Sequence, residues 1–214
     1  MRSSFTLIEL TLSIVVVGLV ILSIPLIVRQ TSVNTIESQN VMGYYNALSL
    51  METIRKKPWD KNNVADFEKS GDYYILYTDD TATNCKKLPG SNVYGKNGLS
   101  NADNRRLCDP LQKKASPIKA DIKLDSINAF QGYTQNIVNN NSKVVFKLLA
   151  NVEYVNINFG NGNITTSNSK TTDVKKITVS LQRINPDGKA EVISNYIYYA
   201  ANIGTNIPIT KDNS

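Results

Sequence analysis

Few residues of this 214-residue chain have the types and spacing that catalysis or metal binding requires. The chain contains no histidine, which removes the commonest general base, the Ser-His and Cys-His nucleophile pairs, and the usual zinc and haem ligands. Its two cysteines cannot supply a four-thiolate metal site, and it has no glycine-rich loop of the kind that binds phosphates. We therefore assign no catalytic residue, no metal site and no cofactor, and we expect a protein that is not an enzyme.

One carboxylate stands in an unusual place. Glu9 is the only ionisable side chain in the 24 residues from 5 to 28, FTLIELTLSIVVVGLVILSIPLIV. A helix of that length reaches about 36 Å, enough to cross a hydrocarbon core of about 30 Å. The segment is too long and lacks the small-x-small site of a cleaved secretory signal, and a helix in a soluble core seldom stays apolar on every face for this long. A membrane segment is favoured, in which Glu9 must be neutralised, snorkel to the interface or find a cation, because a lone charge there costs on the order of several kcal/mol.

The residues around Glu9 carry a resemblance. A short basic leader, residues 1–4, precedes residues 5–10, FTLIEL, and this arrangement resembles the prepilin signature of type IV pilins and type II secretion pseudopilins. The resemblance implies that a prepilin peptidase cuts between Ser4 and Phe5 and that the new amino group of Phe5 is N-methylated. It also implies that Glu9 forms an assembly salt bridge with the amino terminus of a neighbouring subunit. Ser4 departs from the family pattern, in which glycine usually precedes the cut.

The same resemblance implies the surroundings of the chain. The helix would sit in the inner membrane with the leader in the cytoplasm, and residues from about 30 onward would be periplasmic, or extracellular after assembly. The implied partners are other pilin or pseudopilin subunits, the prepilin peptidase, an inner-membrane assembly platform and membrane lipid. Gly18 matches a glycine usual in the family, whereas Pro25 falls one position earlier than the family's helix proline. The leading interpretation is a minor pilin; the alternatives are a type II secretion pseudopilin and a membrane-anchored ligand-binding module that does not polymerise.

Helical spacing continues beyond the apolar segment, now with polar residues in the gaps. Apolar residues recur at three- to five-residue intervals: Val33, Ile36, Val41, Tyr44, Ala47, Leu48, Met51 and Ile54. We expect this stripe to pack against a C-terminal domain and the Lys56-Lys57-Pro58 segment to end the helix. The predicted organisation is a leader (1–4), a transmembrane and assembly helix (5–28), its amphipathic continuation (29–57) and a globular domain (58–214).

The C-terminal part of the chain predicts an antiparallel sheet. Strand patterns occupy residues 144–149, 152–159, 177–184 and 192–200, and a further candidate lies at 73–78. The Asn-Pro-Asp-Gly sequence at 185–188 predicts a hairpin turn between the last two strands. Alternation places Ile177, Val179 and Leu181 inward. An amphipathic helix on one face of an antiparallel sheet is an α+β fold, and it is also the pilin-like architecture that the resemblance implies. Trp59 is expected to anchor the junction between helix and domain.

The remaining signals concern cross-linking, ions and charge. Cys85 and Cys108 are expected to form a disulfide in an oxidising compartment, worth roughly 3 kcal/mol by chain entropy. Asp79 and Asp80 with nearby threonines could contribute oxygen ligands to Ca²⁺, although a solvated turn is the plainer interpretation. Two Asn-x-Ser/Thr triplets, at 140–142 and 163–165, indicate possible surface loops.

The chain is modestly basic. Lysine and arginine outnumber aspartate and glutamate by 24 to 18, a net charge of +6. The basic residues form local pairs at 86–87, 105–106, 113–114 and 175–176. We interpret them as scattered solubilising charge rather than a nucleic-acid surface, which would need several of them on one face with aromatic side chains nearby.

Overall fold

A computed structural model of the chain describes residues 7–79, 85–87, 90, 94–96, 107–108, 111, 113–139, 142–158, 162–167, 170–185 and 187–204. The chain divides into two compact units, Met1–Tyr45 and Asn46–Ser214. It is an α+β protein with a long N-terminal helix and an antiparallel sheet, as the sequence predicts.

Helix α1 runs from Leu7 to Arg55, 49 residues in all. It is long and apolar enough to cross a membrane, and its most apolar stretch is entirely unburied. It ends directly before the Lys56-Lys57-Pro58 segment, where a proline disfavours helical conformation of the residue before it.

The amphipathic stripe of α1 is buried only in its C-terminal part. Ala47, Met51 and Ile54 are buried, whereas Leu48 is 44% exposed. The three buried positions fit the predicted packing of the stripe, whereas Val33, Ile36 and Val41, which belong to the N-terminal unit, are exposed.

Short elements follow α1. They are a 3₁₀ turn at Lys61–Asn63, helix α2 at Val64–Ser70, and the short strands β1 (Cys85–Lys87), β2 (Tyr94–Lys96) and β3 (Leu107–Cys108). These three strands form a small antiparallel sheet in the order β1-β2-β3. The expected disulfide between Cys85 and Cys108 is present and joins its two outer strands. Ile75 and Tyr77 pack against the disulfide in a small apolar cluster.

The main sheet contains the remaining strands: β4 (Thr134–Val138), β5 (Val144–Asn158), β6 (Asn163–Thr166), β7 (Val174–Ile184) and β8 (Ala190–Ala201). Its order is β4-β5-β7-β8, and β6 also pairs with β5. A second 3₁₀ turn, Ile127–Phe130, precedes β4. All strand pairings of the main sheet are antiparallel.

Two strand predictions need correction. The segments 144–149 and 152–159 are one strand rather than two, because Ala150 is fully buried and the inward alternation passes through it without a turn. The candidate at 73–78 is not a ladder strand; it makes isolated bridges at Ile75 and Tyr77. Its backbone instead pairs with a side chain, since Asn202 bonds both the N–H and the carbonyl of Leu76.

The predicted hairpin between β7 and β8 is present. The Asn185 N–H donates to the Lys189 carbonyl over 2.9 Å, and Gly188 supplies the left-handed residue with φ of +83°. Ile177, Val179 and Leu181 are fully buried, as their alternation predicts. Trp59 lies at the helix exit, 1% exposed, and its indole N–H donates to the carbonyl of Ala200 over 3.0 Å. The exit of α1 is thereby tied to the edge of the sheet.

Candidate functional site

The N-terminal part of α1 exposes apolar side chains around its whole circumference. Ile14, Val15, Val16 and Val17 are 64, 61, 51 and 54% exposed. Four consecutive residues cover a full turn of an α-helix, at about 3.6 residues per turn. Such a surface is stable in contact with lipid tails or with other apolar helices, and not as a freely solvated rod.

The few hydroxyl groups of this segment bond within the helix. Thr11 Oγ1 donates to the carbonyl of Ile8 over 3.0 Å, and Ser13 Oγ donates to that of Glu9 over 2.7 Å. Ser23 Oγ donates in the same way to Val20 over 2.8 Å. Polar hydrogens that are satisfied inside the helix do not require water, so these residues suit an apolar medium.

Glu9 lies exposed in the first turn of α1, where the positive end of the helix dipole favours a negative charge. The predicted cleavage and methylation residues, Ser4 and Phe5, lie outside the described residues. Pro25 lies inside the helix; its ring nitrogen carries no hydrogen, so the bond that position 25 would donate to Ile21 is missing.

A second notable site lies in the globular unit, directly after α1. Asp60 and Lys175 are both 0% exposed, and Lys175 Nζ lies 3.1 Å from Asp60 Oδ2. The ammonium also donates to the Trp59 carbonyl over 2.6 Å and lies 3.5 Å from the centre of the Trp59 ring. The Tyr154 ring is on another side, with its centre 5.1 Å away. We refer to Trp59, Asp60, Ser116, Asn128, Tyr154 and Lys175 as the junction cluster.

The Asp60 carboxylate accepts hydrogen bonds on both oxygens. Oδ1 accepts from the N–H of Asn62 over 3.0 Å and from Ser116 Oγ over 2.9 Å. The Ser116 N–H lies 3.2 and 3.1 Å from the two oxygens. Oδ2 accepts from Asn128 Nδ2 over 3.0 Å as well as from Lys175. The carboxylate is therefore held in one orientation by backbone and side-chain donors from four places in the chain, at residues 62, 116, 128 and 175.

Burial controls the acid–base behaviour of the cluster. It lowers the pKa of Lys175 to about 8, although the neighbouring Asp60 carboxylate acts in the opposite direction. Burial, reinforced by the same carboxylate, raises the pKa of Tyr154 above its usual value. The lysine therefore releases its proton more easily than a solvated lysine does.

The sequence interpretation of Lys175 as solubilising charge is wrong. Its neighbour Lys176 does behave as expected of a surface residue, pairing with Glu153 over 2.9 Å, and Lys113 pairs with Asp66 over 3.2 Å. The sequence nevertheless indicated that Lys175 is buried. Side chains alternate between the two faces of a strand, and Lys175 is two residues before Ile177 and four before Val179, so all three lie on the inward face.

The other proposed sites fall partly outside the described residues. At the calcium candidate, Asp79 Oδ2 accepts from the N–H of Thr171 over 3.0 Å, and Asp80, Thr81 and Thr83 are not among the described residues. The same holds for Asn140, Asn141 and the Arg105-Arg106 pair. Asn163 is exposed at the start of β6. In the described part of the chain, no group of three or more acidic or cysteine side chains could hold a metal ion.

Comparisons with protein-family models, with curated proteins and with solved structures gave no match to this chain.

Proposed function

We propose that this chain is a structural subunit, a minor pilin, of a type IV pilus-like filament. The observation that carries the proposal concerns the first half of α1, where apolar side chains are exposed all around the helix. A single carboxylate, that of Glu9, lies near the start of this segment. The resemblance of residues 1–30 to the prepilin signature supports the same proposal. In it, the subunit has no catalytic role and no cofactor.

The physical chemistry of the helix suits two successive environments. In the bilayer, the segment spans the hydrocarbon core before assembly, with the leader in the cytoplasm and the globular unit in the periplasm. In a fibre, the same surface packs against other apolar helices. Exchange of one apolar environment for another leaves the hydrophobic contribution nearly unchanged, so specific polar contacts must decide the register.

Glu9 supplies that contact. A carboxylate enclosed by apolar helices requires a cation, and the N-methylated amino group of Phe5 on a neighbouring subunit would provide it. At any other axial offset the carboxylate and this amino group would not meet, and breaking a buried ion pair costs about 3–5 kcal/mol. The pair therefore favours one stagger between subunits.

Sequencing of the mature amino terminus is the first test. The proposal expects a chain that begins with N-methylated phenylalanine at position 5 after processing by a prepilin peptidase. A mature chain that retains Met1, isolated from cells with active assembly machinery, would contradict it and favour a simple membrane anchor.

A matched pair of substitutions tests the assembly role. Glu9→Gln keeps the shape of the side chain and removes its charge, whereas Glu37→Gln makes the same change at an exposed position further along α1. We expect the first variant to be processed and membrane-inserted but largely missing from sheared fibres, and the second to behave as wild type. Equal fibre content for both variants would refute the pairing role of Glu9.

A further inference from the structure

The junction cluster places an amine against a carboxyl group, and both side chains are fully buried. Lys175 Nζ donates to Asp60 Oδ2 over 3.1 Å, which leaves the carboxyl carbon one C–O bond beyond this contact. To attack, the amine must move from this oxygen onto the carbon, to a separation of about 3–3.5 Å. We propose that Lys175 and Asp60 condense into an intramolecular amide, a covalent cross-link between the exit of α1 and strand β7.

Burial favours the product. Both side chains have no exposed surface, and taking two opposite charges out of water costs several kcal/mol for each ion before their attraction is counted. An amide is neutral and needs only ordinary hydrogen bonds. The aromatic rings of Trp59 and Tyr154 enclose the amine, so little water is at hand to hydrolyse the bond once it has formed.

Both carboxyl oxygens accept several hydrogen bonds, but only Oδ2 contacts the amine. Oδ1 accepts from the Asn62 N–H, the Ser116 N–H and Ser116 Oγ, and such converging donors stabilise the negative charge of a tetrahedral intermediate. Oδ2 is the oxygen that contacts Lys175. It is therefore placed to take protons from the amine and to leave.

The step balances without any co-reactant. The ammonium of Lys175 gives one proton to Oδ2, and the neutral nitrogen attacks the Asp60 carbon to form the C–N bond. A second proton passes from nitrogen to Oδ2, the C–Oδ2 bond breaks, and one water leaves. The amide nitrogen keeps the third hydrogen. The lowered pKa of Lys175, about 8, raises the fraction of neutral amine near neutral pH.

The amide bond would alter how the globular unit carries a pulling force. This consequence rests on the proposed function, whereas the bond itself does not. In a filament, tension along α1 enters the domain at the residues that follow Arg55. An amide at Asp60 would pass this force directly to β7, which is paired on both sides by β5 and β8. The segment between residues 61 and 174 would then be shielded from the pull.

Peptide mapping of the wild-type chain tests the bond. The full chain is purified from membranes in detergent, reduced, alkylated and digested with trypsin. We expect residues 57–61 and 171–176 to appear as one branched peptide, lighter than the two linear peptides together by one water. The uncut bond after Lys175 is part of the signature, because trypsin does not cleave after an acylated lysine.

Two results would overturn the proposal. One is the recovery of both linear peptides, 57–61 and 171–175, from folded wild-type protein. The other is a branched peptide that joins Lys175 to residues 124–143 with loss of ammonia, which would place the bond on Asn128. The matched control is Lys176→Met, which should keep the branch, while Lys175→Met and Asp60→Ala should abolish it. A chain that forms fibres with linear peptides would refute the amide alone, and a branched peptide in a chain that never polymerises would refute the proposed function alone.

Discussion

Asn202 substitutes for a missing strand partner, and removing its amide should destabilise the globular unit strongly. Its Oδ1 accepts from the Leu76 N–H over 3.1 Å, and its Nδ2 donates to the Leu76 carbonyl over 2.8 Å and to Asp173 Oδ1 over 3.0 Å. Leu76 is fully buried and Asn202 is 2% exposed. One side chain thus satisfies both backbone groups of a residue that lies outside any ladder.

The size of the effect follows from these contacts. Asn202→Ala leaves the Leu76 N–H and carbonyl buried without these partners, and each such group costs about 1–3 kcal/mol. The free energy of unfolding should therefore fall by about 2–6 kcal/mol. Asn202→Asp has nearly the same volume but replaces the donor with an oxygen that faces the Leu76 carbonyl and Asp173, so it should cost at least as much.

The single tryptophan makes the measurement direct. Trp59 is buried at the helix exit, so its fluorescence should report denaturant-induced unfolding of the chain in detergent micelles. Asn195→Ala is the control, because Asn195 is an exposed residue of β8 that accepts from Ser180 Oγ; it should change the free energy by no more than about 0.5 kcal/mol. If Asn202→Asp unfolds at the wild-type denaturant concentration, Leu76 does not depend on the amide and the reasoning fails.

Three further outcomes are expected in the same assay. Cys85→Ser should lower the free energy of unfolding by roughly 3 kcal/mol, and the wild-type chain should migrate differently on reducing and non-reducing gels; equal migration would rule out the bond. Gly204→Ala should destabilise more than Gly188→Ala, because both have positive φ but a Cβ at Gly204 meets backbone atoms at 2.9 Å while none lies within 4 Å of Gly188. Leu181→Ala should cost about 2–5 kcal/mol and Thr178→Ala far less, and similar losses for both would contradict the inward assignment of β7.

The spacing of apolar residues predicted those helices and strands in which the pattern of burial or apolarity is regular along the element. The alternation of Ile177, Val179 and Leu181 identified the buried face of β7, and the Asn-Pro-Asp-Gly turn identified its connection to β8. In α1, uniform apolarity over residues 5–28 was enough to indicate a membrane-compatible helix. In each case one local pattern and one physical preference point to the same structure.

Predictions failed where the partner of a residue lies far away in the chain. The segment 73–78 has strand composition, but Asn202 takes the place of a neighbouring strand for Leu76, and the two residues are 126 positions apart. The break predicted near residue 150 failed for another reason, since the apolar alternation of Leu148, Ala150 and Val152 continues without interruption and agrees with the long pairing of β5 with β7. Local propensity is weak in a sheet because cross-strand contacts set the outcome.

The junction cluster shows how two local signals could together have located a buried charge. Parity along β7 places Lys175 on the inward face with Ile177, and Trp59 was already expected to close the junction beneath α1. A lysine on an inward face needs an acid within reach, and Asp60 is the residue next to the buried tryptophan. Because the pair forms where the helix exit and the sheet meet, the cluster ties the residues that directly follow α1 to β7 at one point. A substitution that removes only one of the two side chains leaves the other buried without its partner, and it should disturb this junction more than a hydrophobic replacement of both.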